Sequence, residues 1–329
     1  MRSAVRFLPL VASSLLFACG GSQAPDVVDS GTVDTTPPPP CPIGTSRSCY
    51  SGPTGTEGVG ACHGGAQQCS ASGWSNCEGE VIPKLEACNG LDDDCEGHVD
   101  EGCPVAGALK LSRYPSEGSF FGNATGNATT TTRSTCPDGT LVRGFIGAAT
   151  ETFDRLGLAC GAPSIVEDSA SSPFVYSVAI ADAGTVASVG GIGGTDFQGG
   201  LSCPPNQIVT GISVWDDAQT AVCPSSACTG GASSSTCAGL YGIQISCSEL
   251  EVEGAPGSYV VRAKAGGFSS GRVASGNANR PTTESSYSTP IGAFPYAADF
   301  ASGPWPVYCP FTAVNGVRLV NKEPIVETK

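Results

Sequence analysis

Residues 136–145 read CPDGTLVRGF and residues 203–212 read CPPNQIVTGI; both open on Cys-Pro, pass through a turn and an apolar pair, and reach a glycine at the ninth position. Residues 309–317, CPFTAVNGV, repeat the pattern one residue shorter. The first two copies lead to alternating runs closed by a cysteine, Leu156 and Leu158 before Cys160, and Ile243 and Ile245 before Cys247. Apolar residues at every second position mark strands with one buried face, and Pro-Asp-Gly or Pro-Pro-Asn marks the turn that launches them. Related strand units recurring along one stretch of chain predict an all-β fold, an antiparallel β-prism or β-sandwich.

The same alternation extends the expectation outward. Short runs at Ala108–Leu111, Leu141–Ile146, Phe174–Ile180, Ile208–Trp215, Leu240–Ser246, Tyr259–Ala263 and Val314–Val320 read as strands between Gly, Ser and Pro turns. With 45 glycines, 14% charged residues and 7% aromatics, long helices are not expected. The net charge of -14 and the absence of any Lys/Arg cluster argue against nucleic acid as a partner. Natural pairings are Cys136 with Cys160 and Cys203 with Cys247, which leaves Cys223, Cys228, Cys237 and Cys309; sequence alone does not fix their connectivity.

The C-P-x-x-x-Φ-V-x-G pattern and the run GGIGGTDF at 190–197 resemble those of vitelline-membrane-outer-layer-type β-prism proteins. The resemblance implies a glycan or extracellular-matrix ligand for residues 104–329.

Upstream, residues 88–103 read CNGLDDDCEGHVDEGC. Counting from Asp92, Asp94 and Glu96 fall at positions three and five, Gly97 at six and Asp100 at nine, most of a calcium loop in which alternate side chains point inward around a tight turn. The twelfth position is Cys103 where a bidentate Glu is usual, so Glu101, Glu86 or Asp93 has to close the sphere. The expected ligand set is Asp92, Asp94, Glu96, His98, Asp100 and Glu101, with calcium as a structural cofactor, since hard carboxylate oxygens suit a hard ion. Cys88, Cys95 and Cys103 are expected to pin the loop as cystines. Between Cys41 and Cys103, ten acids face only Arg47 and Lys84, and eight cysteines replace any periodic apolar pattern.

The run Arg47-Ser-Cys-Tyr-Ser-Gly-Pro, then Cys62, Gln68-Cys69, Gly73-Trp74, Cys77 and Glu86 to Gly97, resembles the cysteine-rich metal-binding motif of secreted bacterial proteins. That family is grouped with MopE-type copper-binding surface proteins, and its acidic part is similar to thrombospondin type-3 calcium repeats. Copper through His63 and His98 is therefore the competing reading, although Met1 is the only methionine.

Residues 1–18 carry Arg2 and Arg6 before an apolar run, as a signal peptide does. Leu16-Phe-Ala-Cys19 resembles the bacterial lipobox, which implies acylation of Cys19, a lipid bilayer as partner, and the bacterial outer membrane or cell surface as location. Residues 19–40, ending in four prolines, form an extended tether. The organisation expected is thus a signal peptide (1–18), a lipidated tether (19–40), a cysteine-rich acidic module (41–103) and an all-β domain (104–329).

No catalytic residues are expected. Gly267-Phe-Ser269-Ser-Gly271 fits a nucleophile-elbow pattern, yet no histidine follows it, so it reads as a turn. A carbohydrate-active enzyme remains an alternative through paired acids, with Asp154, Glu167, Asp182 and Asp196 present. Trp215 and Trp305 are platforms of the kind that stack on sugar rings, although large aromatics more often pack in cores.

Overall fold

The computed structural model describes residues 41–122, 130–149, 153–191, 194–197, 201–216, 240–270, 272–274, 283–304 and 312–329. Cys19 and the tether, the cysteines at 223, 228, 237 and 309, Trp305 and the Asn-x-Thr sequences at Asn123 and Asn127 lie outside them. Every regular element among the described residues is a β-strand, and the paired strands run antiparallel.

Three long hairpins organise the large domain. They pair Leu141–Ala149 with Phe153–Asp168, Gln207–Asp216 with Leu240–Glu253, and Phe294–Pro304 with Thr312–Lys322. In the first sheet Val175–Gly190 flanks the second hairpin strand and Thr195–Asp196 the first. In the second sheet Val260–Ala263, Phe268–Ser269 and Val273–Ala274 flank the second hairpin strand and Thr283–Ser288 the first. This four-one-two-three order is a Greek key. The third sheet has the same order, but its flanking strands, Ser116–Glu117 with Phe121–Gly122 on one side and Thr130–Thr135 on the other, precede the first hairpin in sequence. A single residue pair, Ser177 with Glu251, joins the first two sheets at their margins.

The three units match residue by residue. The hairpin ladder skips one residue at Arg143, Thr210 and Tyr296, and again at Asp154, Tyr241 and Asn315. Such bulges add twist and bend the strand, which lets a sheet curve around a shared core. Each first strand leaves a turn closed by an amide on a proline carbonyl: Thr140 on Pro137 at 3.0 Å, Gln207 on Pro204 at 3.2 Å, and Ala293 on Pro290 at 3.1 Å. The third turn residue is left-handed every time, Gly139 at φ 77°, Asn206 at 60° and Gly292 at 78°, as glycine or asparagine permits.

The units also close into a ring. The amide of Cys203 donates to the carbonyl of Arg143 (2.8 Å), that of Thr289 to Thr210 (2.9 Å), and that of Cys136 to Tyr296 (2.9 Å). Every unit thereby hangs its entry turn on the bulge of the one before, which gives a β-prism with approximate threefold symmetry. Leu156, Leu158, Ile243, Ile245, Val317 and Leu319 meet in one buried cluster, and Leu141, Ile208 and Phe294 in a second. Equivalent strands thus supply equivalent layers of the core.

Two units carry a disulfide at the matched position, Cys136–Cys160 and Cys203–Cys247. The third has Thr289 and the fully buried Asn321 there, and Asn321 Nδ2 donates to the Tyr287 hydroxyl at 3.0 Å. The third structural unit therefore begins at Pro290, and the sequence echo that starts at Cys309 enters a second hairpin strand, Thr312–Lys322. The echo arises because both kinds of strand obey the same in-out alternation.

Residues 41–103 are built around a three-stranded sheet of Ser46–Cys49, Gly65–Ser70 and Gly73–Trp74. Four disulfides hold this segment: Cys41–Cys69, Cys49–Cys77, Cys62–Cys95 and Cys88–Cys103. Its buried apolar residues are all cysteines. Covalent bridges therefore replace the oily interior that so short a segment cannot build.

The module docks on one end of the prism through backbone. Gly102 donates to Lys329 (3.2 Å), Lys329 to Cys103 (2.9 Å) and Val105 to Glu327 (2.8 Å), while Gly257 donates back to Gly102 (2.8 Å). Lys110–Leu111 pairs with Pro324–Ile325 in continuation. The amide of Phe174 reaches the carbonyl of Cys88 across the same junction.

Candidate metal centre

The acidic loop is shaped by residues that take the left-handed conformation. Gly90, Gly97 and Gly102 do so freely, whereas Cys95 (φ 61°) and Asp100 (φ 56°) do so at a cost of about 1–2 kcal/mol each. The Cys62–Cys95 bridge holds the first. Asp100 is held by its own carboxylate, whose Oδ1 accepts the amides of Asn89 and Gly90 at 2.8 Å and whose Oδ2 meets Lys329 Nζ at 3.1 Å. Burial works against its charge, but those amides and Lys329 win, and its pKa lies below the ordinary aspartate value. Gly60 passes so close to Asp92 that a methyl group there would overlap the carboxylate.

This folding gathers five carboxylates. Glu86, Asp92 and Asp94 present oxygens within 4.8 Å of one another, and so do Asp94, Glu96 and Glu101. Several of these oxygens are already engaged. Glu86 Oε1 accepts the amides of Asp93 (2.7 Å) and Asp94 (3.0 Å), Asp92 Oδ2 accepts Gly97 (2.9 Å), and Asp94 Oδ1 accepts Glu96 (3.1 Å). Four others are buried without a well-formed hydrogen bond: Glu86 Oε2, Asp92 Oδ1 and both oxygens of Glu101, the last two close to their own backbone amide and to Glu96. Asp92 is only 3% exposed.

A buried carboxylate oxygen without a donor is costly, and like charges close by add to the cost. Glu86 responds with a raised pKa, chiefly through burial. Glu101 is raised as well; its own backbone amide pulls the other way, but burial, Glu96 and Asp92 outweigh it. The donor set is all oxygen and all hard. Its spacing fits a hard divalent ion, because ligands 2.3–2.6 Å from calcium lie at most about 5 Å apart.

Of the ligands expected from sequence, the fold brings together Asp92, Asp94, Glu96 and Glu101, and of Glu86 and Asp93, the other two acids offered to close the sphere, it brings Glu86. Asp100 instead staples the loop to the prism. His98 is exposed, and neither it nor His63 falls in a group of three or more candidate ligands among the described residues. All eight cysteines of the module are bridged, so none offers a thiolate.

The acids considered for catalysis are otherwise engaged. Asp182 lies 3.6 Å from Arg143, Asp196 pairs with Arg155, and Glu167 accepts Tyr176 and faces Lys329 at 3.6 Å. Asp154 is a bulge residue of the first hairpin. Phe268 and Ser269 form a short strand against Ser246 and Cys247 where the sequence reads as a turn, because Gly267 permits close approach to the Cys247 carbonyl. The Trp215 ring is covered by the Arg272 guanidinium at 4.6 Å.

No protein-family model matches the chain, and no curated protein matches it. Among solved structures it is similar to the V. cholerae biofilm matrix protein Bap1, with a TM-score of 0.34 and 12% identity over 68% of this chain and 27% of that one. It is also similar to Calystegia sepium agglutinin, with a TM-score of 0.26 and 9% identity over 66% of this chain and 99% of that one. The chain thus spans only about a quarter of the length of Bap1.

Proposed function

We propose that the chain is a non-enzymatic, lipid-anchored surface protein of a bacterium, in which a calcium-stabilised, disulfide-rich module carries a β-prism that binds a glycan or matrix polymer. The observation that supports the cation most directly is the buried carboxylate of Asp92, whose Oδ1 has no donor, beside the equally donorless Oε2 of Glu86. A structural divalent ion neutralises them and turns their desolvation into coordination. Anchor and tether follow from residues 1–40, and the ligand class from the resemblance in the strand motifs.

Calorimetry of the full chain in millimolar CaCl2 and in EDTA tests the module. The transition assigned to residues 41–103 is expected to move to higher temperature with calcium, and identical traces would sink the cation. A glycan array probed with the full chain tests the prism. Retention without turnover supports the reading, whereas hydrolysis lost on substituting a single Asp or Glu points to an enzyme.

A further inference from the structure

The second and third units share a backbone plan but not an outer face. On the third sheet Asp299 stands opposite both Arg133 and Arg318, Glu117 binds both guanidiniums, and the four charges satisfy one another. Counted from the matched bulges, the same four positions of the second sheet hold Ser213, Ser286, Gln244 and Ser269. Ser269 and Ser286 are exposed, and Ser213 and Gln244 are half-buried. Among the described residues the three hydroxyls make no hydrogen bond to the protein, and Gln244 engages only Nε2, on the Ser270 carbonyl at 2.6 Å. One sheet closes its face on itself; the other leaves the matching groups open. The open face is aromatic at one end, where Trp215 pairs with Gly242 on one side and Glu284 on the other. A Cβ on Gly242 would lie 2.4 Å from Arg272 Nε, so it is the glycine that lets the guanidinium settle there, 4.6 Å from the centre of the indole. In the third sheet Phe120 takes the equivalent seat over Gly316. Arg272 is exposed and forms no ion pair among the described residues.

We infer that the outer face of the second sheet is where the prism binds its glycan, an uncharged polysaccharide lying across the strands with Trp215 and its stacked Arg272 closing one end. Four strands about 4.8 Å apart make a tray about 15 Å wide. Serine hydroxyls both donate and accept, as sugar hydroxyls do, and the free Gln244 oxygen accepts. A guanidinium stacked on an aromatic ring keeps its in-plane donors, so Arg272 continues the indole surface and adds hydrogen bonds at its edge. The charge of the face selects the ligand. Arg272 and Glu284 flank Trp215, and every position that is charged in the third sheet is neutral here. An acidic polymer finds no surplus of cations on this face and meets a chain of net charge -14.

The inference rests on the glycan reading above, and variants of this face separate the two. The full chain is passed over immobilised dextran, cellulose, galactan and mannan, with alginate and hyaluronan as the acidic set. Retention is expected on at least one neutral polymer. The variant S213D/Q244R/S269E/S286R copies the charged cluster of the third sheet onto the second, and is expected to melt as the parent chain does and to bind at least tenfold more weakly. S286R alone, at an exposed position on an edge strand, lays one long side chain over the tray and is expected to weaken binding by a similar factor; it decides the matter if the fourfold variant does not fold. Unchanged retention in S286R and in the folded fourfold variant overturns this site and leaves the glycan reading standing. Retention on alginate or hyaluronan alone overturns the assignment to an uncharged ligand, and no retention on any polymer overturns both readings.

Discussion

Lys329 Nζ lies 3.1 Å from Asp100 Oδ2 and 3.6 Å from Glu167 Oε2, and so bridges the acidic loop and the first sheet of the prism. Asp100 is buried and satisfies two loop amides as well, whereas Lys329 is partly exposed. The two ends of the pair should therefore respond differently. Lys329→Ala should cost no more than about 1 kcal/mol, since water screens a partly exposed ammonium. Asp100→Ala orphans two amides and should cost about 2–4 kcal/mol. Hydrogen exchange at Asn89 and Gly90 is the readout; equal protection in both variants would refute the assignment.

Asp299 is buried against two guanidiniums, with Arg133 at 2.6 Å and Arg318 at 2.7 Å, and Glu117 completes the cluster. Its pKa is held low, first by Arg133 and then by Arg318, against the effect of burial. The pH dependence follows from that direction. The stabilisation is complete above the unfolded aspartate value of about 3.9 and is lost as pH falls through the lower folded value. Asp299→Asn should remove this acid-sensitive component and cost about 3–5 kcal/mol at neutral pH, because two arginines lose their partner. Denaturant melts from pH 7 to pH 3 measure both effects.

The third unit offers a direct check on the symmetry. Thr289 and Asn321 occupy the places filled by cystines in the other two units, where the Cα atoms stand 5.7 and 5.6 Å apart. The double variant Thr289→Cys/Asn321→Cys should form a third bridge without rearrangement. It should raise stability by about 2–4 kcal/mol under oxidising conditions. Mass spectrometry showing free thiols at both sites would mean that the three turns are not equivalent.

Gly102 has φ 78° and lies so near Gly257 that an added Cβ would sit 2.5 Å from its nitrogen. Gly102→Ala should therefore loosen the junction at a cost of about 1–3 kcal/mol. Limited proteolysis between residues 103 and 107 should accelerate, while the core melting of the prism stays in place.

The strand alternation made the all-β class, the first two hairpins and the two matched cystines legible in the sequence. The third unit was obscured because its marks are absent. Thr289 and Asn321 stand where the other two units have cysteines, and the flanking strands Ser116–Glu117 and Thr130–Thr135 are too polar to announce themselves. In the loop, alternate spacing picked out Asp92, Asp94 and Glu96 because a tight turn presents every second side chain inward. It also counted Asp100, whose carboxylate the fold turns to the amides of Asn89 and Gly90, and it left open which of Glu101, Glu86 and Asp93 would come alongside; the fold brings Glu86 and Glu101. A cue was present in Glu86 itself, an acid two residues before a cysteine and six before the loop's first aspartate.

The third sheet weaves Ser116–Glu117, Phe121–Gly122 and Thr130–Thr135 together with Phe294–Pro304 and Thr312–Lys322. During synthesis the earlier segment emerges long before its partner, so those polar strands must wait, unpaired, while some 150 residues more are made. Sheets one and two can assemble in order as they appear, but the clasp shuts last and by long-range pairing, which is slow. A chain stalled before residue 294 would leave the prism open along one side and the module without the segment that seats it, so quality control would have one unfinished seam to recognise.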